Sequence, residues 1–466
     1  MAKNLDNLKF EKRNCWAVWS DAEKKQALNF SEDYKEFLSA AKTEREAVVF
    51  GIKIAEKHGF KNISSYKKLK TGDKVYAVNR NKNLVLAIIG KKLFQAGLKI
   101  IMSHVDAPHL DLKVNPLYED ESIAFFKTHY YGGIKKYHWP TISLALHGTV
   151  VLGNGKKLEI TIGEKESEPI FMITDLLPHL GKKQLRKTLD EAIAGEELNI
   201  LAGSIPIKNK NAKEKVKLAV LEHLNKIYGM KEEDFFSADI QAVPVGAARD
   251  LGFDRSLIAA YGQDDRVCAW TSLSAILAAK TGDQTQVCFW TDREEIGSYG
   301  NTGAESFFLE NVVADLLELA TGKSNLREVY RIFEMSQALS SDVTVGLDPD
   351  YKEVHDLKNV AKLGHGVAIE KYTGHGGKSG TSEASAEFSY KIRKMLNDNK
   401  VVWQTAGLGK VDEGGGGTIA MFLAKRNMDI IDIGVALFSM HAPMEIASKA
   451  DIYCAYLAYK AFFNSK

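Results

Sequence analysis

Short, mostly apolar runs punctuate this chain, and they constrain its fold more than any other feature. Residues 84–88, 98–102, 286–290 and 430–438 are each of strand length. None approaches the roughly 20 apolar residues that span a membrane. Strands that are apolar along their whole length lie in sheets covered on both faces, usually by helices. The covering helices are visible too. Apolar positions at helical spacing run through residues 32–58 (Phe37, Leu38, Ala41, Val48, Val49, Ile52, Ile54), and residues 266–280 and 306–319 read the same way. The middle of the chain differs. Residues 141–152 are rich in strand formers, Asn154-Gly155 is a type I′ hairpin signal, residues 158–162 alternate, and residues 170–173 read as another strand. A lysine-rich segment at 208–217 reads as a solvated face or mobile loop, and a helix follows to about Lys226. The expectation is an α/β domain in two pieces, residues 1–112 and 246–466, around a β-rich insert at 113–245. No internal repeat is evident.

Composition narrows the function classes without naming one. The 466 residues carry 62 Lys+Arg and 60 Asp+Glu, a net charge of 62 − 60 = +2, which excludes a broad basic field for nucleic acid. Nine prolines and no low-complexity tract argue against extensive disorder. Cys15, Cys268, Cys288 and Cys454 form no Cys-x-x-Cys pair, so neither a disulfide framework nor a thiolate zinc site is expected. That usage suits a reducing compartment, and the first ten residues hold no apolar signal core. The expectation is a cytoplasmic protein with no membrane or nucleic-acid partner.

The chemistry sits where the apolar runs stop. His104-Val105-Asp106 follows residues 98–102, Glu294-Glu295 follows 286–290, Ser341-Asp342 follows Ala338-Leu339, and Met440-His441 follows 430–438. In open α/β sheets the ligand crevice lies outside the carboxyl ends of the strands, so these groups can converge. Each has a plainer reading. His104 and Asp106 can be surface or core residues, Asp264-Asp265 can cap a helix, Asp342 can close a turn, and His441 can be a core histidine. Glu294-Glu295 is more pointed, because adjacent carboxylates repel unless a cation or proton is shared. Gly297 would permit the tight backbone that turns both inward. Taken together, imidazoles and carboxylates without competing thiolates suit Zn²⁺, Mn²⁺ or Co²⁺.

The ordered set His104-Val-Asp-Ala-Pro108, Asp264-Asp265, Glu294-Glu295-Ile-Gly-Ser298, Ser341-Asp342 and Met440-His441 resembles the M18 family of aspartyl aminopeptidases, within the dinuclear zinc exopeptidases. The resemblance implies a mixed-sheet α/β/α metallopeptidase domain with an inserted β-rich dimerisation domain. It implies two divalent cations per subunit, zinc first, with Asp264 bridging. His104 and Asp342 would complete one shell, and Glu295 and His441 the other. Glu294 would be the general base and Asp106 the orienter of His104. Lys371 resembles a substrate-contacting lysine, and His147 a histidine supplied by a neighbouring subunit. The implied activity is release of N-terminal, acidic residues from peptides by a dimer-based homo-oligomer, in the family a dodecamer of twelve subunits. Two departures stand out: Asp265 replaces the Asn often found after the bridging Asp, and four glycines fill 414–417 where other members carry Pro and Cys. Two other classes stay open. A metal-dependent deacylase could use the same centre on N-acylated substrates, whereas a non-enzymatic assembly subunit would carry damaged ligands.

Overall fold

The computed structural model describes residues 8–209 and 211–465. The leader reading rests partly on residues 1–7, and Lys210 belongs to the lysine-rich run; both lie outside the described residues. By its contacts the chain divides into two compact units. One comprises Met1–Asp106, Ala248–Met440 and Glu445–Lys466, and the other Ala107–Ala247 and His441–Met444. The strand His109–Asp120 runs across the expected junction at 112, so residues 107–112 go with the second unit.

The first unit is built on a nine-stranded mixed sheet. In chain order its strands are β1 (Lys61–Asn62), β2 (Lys74–Asn79), β3 (Asn83–Ile88), β4 (Leu98–His104), β5 (Thr285–Thr291), β6 (Gln337–Ser340), β7 (Val367–Glu370), β8 (Trp403–Thr405) and β9 (Asp429–Gly434). Across the sheet they run β1-β2-β3-β5-β4-β6-β9-β7-β8. The central four, β5, β4, β6 and β9, are parallel, while β3 and β7 run against them. Alternation assigns the side chains to opposite faces. Ile100 and Met102 pack with Phe289, Leu316 and Phe333 on one face, and Ile101 packs with Trp270, Trp290 and Ile431 on the other. Both faces are therefore dry, as the apolar runs require, and the layers are α/β/α. Lys99 is the polar exception inside β4. It is buried, and its ammonium donates to the Phe462 carbonyl (3.0 Å) and the Ser465 hydroxyl (2.8 Å) at the end of the last helix. Burial lowers its pKa to about 8.

Three expectations changed in detail. Residues 32–58 are not one helix but two, Asp21–Ala40 and Glu44–Lys57, because Thr43 and Glu46 form a capping box that starts the second. The run at 430–438 is shared between sheets. It breaks after Gly434, and Ala436–Phe438 joins a five-stranded sheet with Thr344–Val345, Arg249–Leu251, Leu257–Ala260 and Glu445–Ser448. In the Asn154-Gly155 pair only Gly155 has positive φ (+81°), so a longer loop joins the strands instead of a type I′ turn.

The second unit is a six-stranded antiparallel sheet, in the order Lys157–Ile162, Leu144–Val151, Ala238–Pro244, His109–Asp120, Ile123–Tyr131, Ile200–Gly203. Residues 170–173 contribute isolated bridges at Phe171 and Ile173, not a strand. The helix Lys215–Tyr228 begins within the lysine-rich run. Trp139, Phe126, Leu144 and Ile240 fill its core. Among the described residues no helix is long and apolar enough to cross a membrane.

One glycine links this frame to the chemistry. A Cβ on Gly434 would lie 1.7 Å from the main-chain oxygen of Asp342. Gly434→Ala must push β9 from the segment carrying Asp342, at a cost of roughly 3 kcal/mol. The expected outcome is a thermal midpoint several degrees lower, read by differential scanning calorimetry.

Candidate metal centre

Parallel neighbours β5, β4 and β6 end at the same edge, and this is what gathers the acidic groups. His104 is the last residue of β4. Glu294 and Glu295 form a short 3-10 turn just beyond β5, and Asp342 lies two residues beyond β6. The turn is flanked by Arg293 and Gly297, both at positive φ, the backbone that Gly297 suggested from sequence. Asp264 and Asp265 open the helix Gln263–Leu277, joined by a cis peptide bond. They are not its cap: Gly262 holds the N-cap position, and both acids keep non-helical dihedrals.

His104 is the hub. Its Nε2 lies 3.2 Å from Asp264 Oδ1 and 3.8 Å from Asp342 Oδ1. On the other side of the ring, Nδ1 meets the Asp106 main-chain oxygen at 3.0 Å and its carboxylate at 3.3 Å. The His104 main-chain N–H donates to Asp265 Oδ2 at 3.4 Å. Asp106 does more than face the ring. Its carboxylate accepts the main-chain N–H groups of Glu294 (3.1 Å) and Glu295 (3.2 Å), so one side chain touches both the imidazole and the acidic turn.

Ligand atoms of His104, Asp265 and Asp342 lie within 4.8 Å of one another, and so do those of His104, Asp264 and Glu295. The electrostatics are those of crowded, dehydrated acids. Burial first, then the charges of Asp342 and Asp264, push the Asp265 pKa well above the carboxylate range. Burial likewise raises Asp342, with Glu294 and Asp264 adding to it and His104 opposing. Burial alone would lower His104, but bonds to Asp106 and Asp264 carry its pKa well above the ordinary value. Among the described residues, buried Asp265 Oδ1 has no hydrogen-bond partner. An orphaned carboxylate oxygen among buried acids and one imidazole fits a divalent cation, which would offset the burial cost and the repulsion together. The nearby Cys268 thiol is held protonated by burial and by Asp265, so it does not compete as a ligand.

His104, Asp264, Glu295 and Asp342 are thus brought together, and the charge of Glu294 reaches Asp342. His441 belongs to the second unit, where its Nδ1 meets the Gly133 carbonyl at 2.8 Å. His147 lies in the second unit's sheet, with its Nε2 3.0 Å from Glu164 Oε1. Lys371 follows β7. Its ammonium stands 3.6 Å from Glu383, and it lines a cavity of about 450 Å³ with Tyr372, Lys378, Arg393 and Trp403. Sequence reasoning left Asp265 without a ligand role and missed Glu445, a buried carboxylate that accepts the Asp264 main-chain N–H at 3.0 Å. No spacing signal pointed to Glu445, because its role depends on the pairing of Glu445–Ser448 with Leu257–Ala260.

Asp106→Ala removes the carboxylate beside the imidazole, though not the main-chain oxygen, and with it the acceptor of both turn amides. Affinity for a divalent cation should fall about 10–100-fold, measured as retained metal after dialysis against graded chelator.

The family model described as aminopeptidase I zinc metalloprotease (M18) matches residues 37–463. An M18 family aminopeptidase 1 of Borreliella burgdorferi (strain ZS7) is 48% identical over 457 residues, covering 97% of this chain and 100% of the relative. The crystal structure of an M18 aminopeptidase from Thermotoga maritima superposes with a TM-score of 0.94 at 45% identity, over 98% of this chain and 100% of that one. The mApe1 dodecamer of S. cerevisiae shares the fold at 21% identity, with a TM-score of 0.74 over 95% of this chain and 97% of that one. The chain belongs to the M18 family of zinc metalloaminopeptidases, enzymes that hydrolyse peptides from the amino terminus.

Proposed function

We propose that this aminopeptidase works through two divalent cations and prefers acidic N-terminal residues. The observation that supports the two-cation reading is the number of carboxylates gathered at His104, with Asp264 and Glu295 in one group and Asp265 and Asp342 in the other, more negative charge than one divalent cation offsets. In the proposal Asp264 is shared, His104 and Asp342 complete one shell, and Glu295 and His441 complete the other. Bound there, divalent cations supply Lewis acidity and a water of lowered pKa. Glu294 would take a proton from the water that attacks the scissile carbonyl and return it to the leaving amine. Asp106 keeps the His104 ring in one tautomer by holding Nδ1. For an acidic first residue the side-chain carboxylate needs a cationic or donor-rich partner, and Lys371 and His147 are assigned that role.

We also propose a dimer-based homo-oligomer, up to twelve subunits, in which the second unit carries the contacts and a neighbour supplies His147. The fold shared with the mApe1 dodecamer supports this assembly. The four cysteines, all free, suit a cytoplasmic location.

Glu294→Gln tests the mechanism. It should keep its metal content by plasma mass spectrometry and lose about 10²–10⁴ in kcat, the range of a general base. Substantial remaining turnover would sink the assignment. A panel of aminoacyl chromogenic substrates, free and N-acylated, with Zn²⁺, Mn²⁺ or Co²⁺ added, tests the substrate. Aspartyl and glutamyl substrates should turn over fastest, blocked amines should not react, and Lys371→Ala should raise KM for acidic substrates. Equal rates on leucyl and aspartyl substrates would refute the acidic preference. Mixing inactive Glu294→Gln with inactive His147→Ala subunits should restore activity if subunits share sites; after verified exchange, no recovery would refute sharing.

A further inference from the structure

Two buried carboxyls have no part in the reaction above, yet they face each other across one strand pair. Glu370 ends β7 and Asp432 lies in β9, and the antiparallel register sets them opposite. Their side chains therefore leave the sheet on the same face. They are 7% and 5% exposed, and among the described residues neither forms an ion pair. Each is held by a threonine hydroxyl instead. Thr344 donates to Glu370, and Thr418 donates to Asp432 Oδ1 at 2.7 Å. Burial, with the charge of Asp432, raises the Glu370 pKa to about 7, and burial raises Asp432 to about 6. Apolar residues at such a site would cost less than two facing acids.

What the threonines belong to gives the pair its meaning. Thr344 lies two residues past Asp342 and opens the strand Thr344–Val345. Thr418 closes the glycine run at 414–417. That run pairs with the strand after Lys371: Gly416 opposes Gly374, and Gly415 opposes His375. The approach is close enough that a Cβ on Gly415 would lie 2.3 Å from the Gly374 main-chain oxygen. One end of the acid pair is thus tied to the Asp342 segment, and the other to a half-buried backbone ribbon.

We propose that Glu370 and Asp432 are positioning residues, which hold the glycine ribbon at 414–417 in register with the Asp342 segment so that its backbone receives the peptide substrate. This rests on reading Asp342 as a metal ligand. Neither acid touches substrate; both act through Thr344 and Thr418.

The test uses the full-length, zinc-loaded enzyme and a chromogenic aminoacyl substrate that it cleaves. Thr418→Val removes the donor and keeps the shape. KM should rise about tenfold, the scale of one lost hydrogen bond to a charged group, with kcat and zinc content near wild type. Asp432→Ala should match it. Asp432→Asn, whose amide oxygen still accepts from Thr418, should recover most of the KM. An unchanged KM in Thr418→Val overturns the proposal, as does an Asn variant no better than Ala, or a KM change that tracks zinc loss. If Thr418→Val melts early, Thr418→Ser decides: restored KM supports the brace, and no restoration overturns it. Asp342→Asn, assayed for zinc alone, judges the ligand reading separately from these KM values.

Discussion

Like charges buried together at the carboxyl ends of the parallel central strands are the constraint on which the rest of this structure depends. Asp264, Asp265 and Asp342 crowd around a single imidazole, and burial makes the charges of Asp265 and Asp342 expensive. Such a cluster persists only if protons or cations neutralise it and the backbone holds it against its own repulsion. The frame that does the holding is dry on both faces. Ile100, Ile101 and Met102 anchor β4 from opposite sides, and β5 and β6 flank it in parallel.

Around that edge, backbone groups are fixed by carboxylates that are not themselves in the ligand groups. Asp106 takes the amides of Glu294 and Glu295, and Glu445 takes the amide of Asp264. Gly434 lets β9 lie against the Asp342 carbonyl. These contacts convert four distant segments into one rigid constellation, which matters because catalytic groups lose efficiency when displaced by about 1 Å. The Glu370–Asp432 pair extends the same device to the glycine ribbon.

Much of this was legible in the chain. The strand runs and helix spacing carried the α/β/α layers, since apolar periodicity reports burial directly. The acids past the strand ends were visible for the same reason, as a switch from dry core to chemistry. The misses have physical causes. Residues 32–58 looked continuous because Ala41 keeps the apolar period through a break that Thr43 and Glu46 cap. Residues 430–438 looked like one strand because both of its sheets bury it. The roles of Glu445 and Asp432 depend on strand register, which no local pattern records.

The sequence alone determined which residues can carry charge into the interior, and in what order along the chain they follow buried strands. Composition and spacing also excluded thiolate chemistry and a basic binding surface. Only the tertiary structure decided that β5, β4 and β6 are parallel neighbours, that Asp265 joins Asp264 among the clustered acids, and that Asp106 serves ring and turn at once. The reason is physical. Burial preference is a property of each side chain and its near neighbours, whereas a site is a set of distances between segments about 30 to 160 residues apart, set by sheet register and packing.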